Sequence, residues 1–234
     1  MSNTIQQFIK SLKNKPSSDH VFNPWYDCDP DNDENTEAPN IRKAHLQYYL
    51  EQRKDSARYL LIAEAIGYQG GHFSGIAMTS ERILLGHQHL KGIHPHHVFQ
   101  HHTPKRTSHP DKRPKGFSEP TATIVWGSLL QMQLNPYEFV LWNAVPWHPY
   151  QPSHPNGMLS NRTPTSYELE YSWPFLLSFL KLFPSSRVIA IGQKCAATLQ
   201  SLRLDCPVVR HPANGGATQF REQIYAFLSK DNAS

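Results

Sequence analysis

Three residues stand where their side chains could do chemistry together. Glu64 closes a short apolar run and opens the segment AEAIGYQGG. A carboxylate there suits a general base for water, and Gly67, Gly70 and Gly71 permit tight turns and a close backbone approach to a ligand. Asn143 ends a second apolar run; its carboxamide offers a donor and an acceptor side by side, the pattern on the Watson–Crick edge of a pyrimidine. His211 opens HPANGG, where an imidazole can donate to a developing oxyanion and the flexible loop behind it can reach a phosphate or a groove. Each also has a plain reading: a loop acid or helix cap, a strand-end turn residue, a histidine that is structural or simply exposed.

The elements that must position these residues add weight to the chemical reading. Short apolar runs at 59–63 (YLLIA), 139–143, 187–191 (RVIAI) and 207–210 read as buried strands. Helices are expected over 41–54, 79–85, 123–133, 164–183 (disturbed by Pro174), 193–202 and from the HPANGG loop to about 229, with a short helix or frayed arm in 1–20. Strands alternating with helices predict an α/β domain around a small parallel sheet. Ligand sites in such sheets lie beyond the carboxyl ends of the strands. One carboxylate, one carboxamide and one imidazole are therefore expected on the same sheet edge.

The chain has 234 residues, of which 38% are apolar, with 19 prolines and 14 histidines. That suits one compact core with long loops. We read 1–40 as an N-terminal arm and acidic loop, and 41–234 as a single domain with an insertion at about 87–118. Six acids without a Lys or Arg fall in 27–37, which read as a solvated loop. Outside that run 13 acids face 23 basic residues, a net of +10 that favours a polyanionic partner, nucleic acid first. The insertion holds eight histidines, four prolines, six Lys or Arg and one acid. A basic loop near phosphates, a metal site and plain surface are its three readings. Three cysteines without CxxC spacing argue against a disulfide framework, a zinc site or an iron–sulfur cluster. No apolar stretch approaches the roughly 20 residues of a membrane span, and no signal peptide is read. A cytoplasmic, nucleoid-associated protein is the expectation.

Five segments in order resemble the uracil-DNA glycosylase superfamily: Ala63-Glu64-Ala65-Ile66-Gly67, Asn143-Ala144-Val145, the run NRTPTSYEL from Asn161, the run VIAIGQKCAATL from Val188, and His211-Pro212-Ala213. The resemblance covers about residues 59–228 apart from the insertion. It implies a three-layer α/β/α fold around a four-stranded parallel sheet, and a monofunctional DNA repair glycosylase that flips and hydrolytically removes uracil. It further implies that Glu64 activates water, His211 stabilises the departing base, and Asn143 reads the base edge. Tyr68, Met78 and Phe73 become candidates around the base. Gly67, Gln69, Arg210, Asn214, Gly215, Gly216 and Arg221 become candidates for DNA contact. Trp147 and Trp173 stand where the iron–sulfur class carries cysteines, so no cofactor or metal is expected, and a monomer is the family default. Ala63 and Ile66 replace a glycine and a proline of the usual catalytic loop. A non-catalytic DNA-binding protein of the same fold, or a glycosylase for another deaminated base such as hypoxanthine or xanthine, are the alternatives. Glu81 is next in line as the water-activating acid.

Overall fold

The computed structural model describes residues 4–17 and 20–231; the rest of the expected arm and the last three residues of the expected domain lie outside them. The helices are α1 (Ile5–Ser11), α2 (Ala38–Glu51), α3 (Gly71–Ser74), α4 (Glu81–Leu84), α5 (Pro95–Val98), α6 (Pro120–Gln131), α7 (Ser166–Leu180), α8 (Gln193–Ser201) and α9 (Ala217–Asp231). The strands are β1 (Val21–Phe22), β2 (Tyr59–Ala65), β3 (Phe139–Val145), β4 (His148–Pro149), β5 (Arg187–Ile191) and β6 (Val208–Val209).

Four strands form one parallel sheet in the order β3-β2-β5-β6, with Ala63 opposite Asn143 and Ile191 opposite Val209. All seven residues of β3 are buried, as a parallel strand covered on both faces requires. Alternation along β3 shows the two covering layers. Phe139 meets Trp126 of α6, whereas Trp142 stacks on Phe179 of α7 and meets Phe8 of α1 edge-on. The fold is thus the expected three-layer α/β/α sandwich.

Helix α7 starts at a capping box, in which Thr165 Oγ1 accepts from the Glu168 N–H and the Glu168 carboxylate accepts from the Thr165 N–H. It continues through Pro174, which therefore does not break it. Strands β2 and β3 run two residues further than expected, so Glu64 and Asn143 lie inside the strands, close to their carboxyl ends. Among the described residues no helix is long and apolar enough to cross a membrane.

One expectation needs correction. The acidic run is only partly solvated: Asp31, Glu34 and Glu37 are exposed, but two of its acids are buried. Asp33 is buried in a two-pronged pair with the Arg42 guanidinium at 2.6 and 3.0 Å, and Asp29 is buried beside His72 Nε2 at 3.1 Å. Burial alone would raise the Asp29 carboxyl, but His72, Asn32 and the Asp31 N–H together hold it below its ordinary value. The insertion is anchored to the body of the protein. Ile93, Val98, Phe99 and Phe117 join the buried residues, and Thr107 and Ser108 bond the buried Glu81 carboxylate. Its apolar residues are too few to show a period, yet enough to tie it down.

One buried imidazole makes stability depend on pH. Burial pushes His45 down to about 4, and its ring is bonded as a neutral one, Nδ1 donating to the Ser74 carbonyl and Nε2 accepting the Lys105 N–H. The unfolded chain takes up this proton near pH 6.5, while the folded chain resists it. The stabilisation is complete above that pH and is lost as pH falls. Urea midpoints should therefore drop steadily from pH 7.5 to 5, and His45→Gln should flatten the slope. A midpoint constant over that range would contradict this reading.

Candidate active site

A cleft of about 1020 Å³ opens beyond the carboxyl ends of β2, β3, β5 and β6. The strand order reverses direction about β2, which places the cleft at a topological switch point. It brings together Glu64, Asn143 and His211, with Gly67, Gln69, Met78, Arg210 and Asn214 also on its walls.

Glu64 is half-buried, and burial raises its carboxyl; Lys194 Nζ, 3.6 Å away on α8, works in the opposite direction. Asn143 is almost wholly buried on the inner end of β3. Its side-chain Oδ1 has no hydrogen-bond partner among the described residues. Such an acceptor costs free energy unless something supplies a donor.

His211 is positioned by a glycine. Gly192 closes β5 at φ +89°, and a Cβ there would stand 3.1 Å from the His211 Cβ. The His211 Nδ1 accepts the N–H of Ala213 at 3.1 Å. A neutral ring so bonded carries its proton on Nε2. Burial, and then the charge of Arg210, lower its pKa and keep the ring neutral. The result is a neutral donor on one wall of the cleft.

Other expected residues fall elsewhere. Phe73 does not line the cleft: its ring is buried and stacked on Phe117 at 3.9 Å between centroids. Met78, in a left-handed backbone conformation (φ 47°), is the one of the two that reaches the cleft. Tyr68 is beside the cleft, its N–H donating to Asn161 Oδ1 at 3.0 Å. Gly215 and Gly216 continue the His211 loop outside the lining, and Arg221 sits on a neighbouring groove with Lys91 and Gln131. Glu81 is engaged by Thr107 and Ser108 and does not line the cleft.

The structure adds Glu119, Asn161 and Lys194, which sequence reasoning did not single out. Asn161 clamps the Glu64 loop through Tyr68, and Arg162 beside it holds the Glu168 carboxylate at 2.6 and 2.7 Å. The run NRTPTSYEL thus fixes the cleft wall to α7. Among the described residues no group of three or more His, Cys, Asp or Glu is arranged to hold a metal ion.

No protein-family model matches the sequence, and no curated protein matches it. Solved structures do. The wild-type SMUG2 of Pedobacter heparinus superposes with a TM-score of 0.62 at 15% identity, over 97% of each chain. The two chains share a fold.

The geometry of His211 gives a direct spectroscopic expectation. Nitrogen-15 spectra at pH 7 should show its ring as the neutral Nε2–H tautomer. A proton on Nδ1 would contradict the bond from Ala213.

Proposed function

We propose that this chain, whose fold is uracil-DNA glycosylase-like, is a monofunctional DNA repair glycosylase that removes uracil and leaves an abasic site. The observation that carries the reading is the buried, unpartnered Oδ1 of Asn143 on the floor of a cleft large enough for a nucleotide. Uracil offers that oxygen its N3–H, while O4 accepts from the Asn143 amide. Cytosine offers a lone pair at N3 and an amino group at position 4, the reverse of both. A site built to bond one partner rejects the other strongly, because its buried polar groups would stay unpaired.

The glycosidic bond is unreachable inside a stacked duplex, so the nucleotide must flip into the cleft. As the bond between C1′ and N1 stretches, its electron pair moves into the uracil ring and charge grows on O2. The neutral Nε2–H of His211 donates to that oxygen. Water attacks C1′ and gives its proton to Glu64, which Lys194 helps keep ionised. Met78 lies under the base, and Tyr68 stands beside it. Gly67, Gln69, Arg210, Asn214, Gly215, Gly216 and Arg221 meet the DNA strand. The reading calls for DNA as partner, a monomer and no cofactor, in the arm-plus-domain organisation set out above.

Two substitutions test the assignment in single-turnover excision. His211→Ala should slow excision by about 100- to 1,000-fold, the usual effect of losing one oxyanion donor, while DNA affinity changes little. Equal losses in rate and affinity would make His211 structural. Asn143→Asp should lose the preference for uracil over cytosine; unchanged selectivity would remove Asn143 from base reading.

A further inference from the structure

The cleft contains a second carboxyl group that the reaction above does not use. Glu119 precedes α6 and lines the same wall as the Glu64 loop. Its Oε2 is buried and bonded to nothing among the described residues. The group is pressed against the turn that follows Glu64. A Cβ on Gly67 would lie 3.5 Å from Oε1, and one on Gly70 would lie only 2.1 Å from Oε2. Glycine at 70 is therefore the space this carboxyl occupies.

The two acids differ in their surroundings. Glu64 faces Lys194. Glu119 has no ion-pair partner among the described residues, and burial alone pushes its carboxyl up to about 7. The cleft's other charged or titratable groups, Glu64, Arg162, Lys194, Cys195, Arg210 and His211, do not offset that burial. Neither do Lys91 and Arg221 of the groove beside Pro120. Paired acids whose environments push them apart take opposite protonation states and opposite roles. An ionised Glu119 would repel a nucleic acid, whereas a protonated one is a donor on the wall of the cleft.

We propose that Glu119 binds the nucleotide as a neutral carboxylic acid, its O–H donating to an oxygen acceptor, either a base carbonyl or a phosphodiester oxygen. The inference rests on the nucleotide-binding reading of the cleft. It adds a residue that makes binding depend on pH independently of the water-activating acid.

The protein alone supplies the first readout. In carbon-13 carboxyl spectra of Glu-labelled protein, one signal should titrate near pH 7 and vanish in Glu119→Gln. Glu119 titrating in the ordinary carboxylate range would overturn the proposal. The second readout is the affinity of the Glu64→Gln protein for a uracil-bearing duplex between pH 6 and 9. It should weaken about tenfold per pH unit above 7, the behaviour of a complex that needs one added proton. Adding Glu119→Gln should remove the slope, because the carboxamide remains a donor. With a duplex carrying an abasic analogue, a surviving slope identifies a phosphodiester acceptor and a lost slope a base carbonyl. Tight but pH-independent binding would overturn this inference and leave the proposed function standing. Absence of DNA binding at every pH would overturn both.

Discussion

Everything around the cleft depends on one constraint, that charge removed from water must be paired. The Arg42 guanidinium, wholly buried, is held by Asp33 and by the carbonyls of Pro24 and Asp27. Removing one partner of such a pair typically costs about 3–5 kcal/mol, because the other charge stays buried. From the same segment Asp29 meets His72, whose Nδ1 lies 2.9 Å from His148 Nδ1, and His148 Nε2 donates to the Ser160 carbonyl at 2.8 Å. The next residue is Asn161, which clamps the Glu64 loop. A continuous polar chain thus joins the N-terminal acidic segment to the cleft wall.

The sheet sets the other side of the site. Parallel register brings Ala63 opposite Asn143, so the residue after one and the side chain of the other open into one space. The shorter pair β5 and β6 stops earlier, leaving room for Gly192 and the His211 loop. Each candidate group is fixed by an ordinary backbone device: a strand end, a left-handed glycine, or an N–H bonded to a ring nitrogen. Groups held by such devices meet the condition for electrostatic stabilisation without reorganisation.

The order of strands and helices was legible in the sequence because buried parallel strands are continuous apolar runs and strand ends carry Glu64, Asn143 and His211 at recognisable turns. The burial of Asp29 and Asp33 was not. A run of acids looks solvated until its partners, Arg42 and His72, are brought in from elsewhere in the chain. Phe73 was a candidate beside the base only through the family resemblance; its pairing with Phe117, 44 positions away, places it in the core. Glu119, followed by Pro120, reads as a helix start, and only the gap at Gly70 shows what it faces.

Single-turnover incubation with a duplex carrying one uracil, followed by alkaline cleavage of any abasic site, tests the central claim most directly when Glu64→Gln is run beside the wild type. The account predicts strand cleavage at the uracil by the wild-type protein and a large loss with Glu64→Gln. An intact duplex after incubation with wild-type protein that binds it would contradict the account.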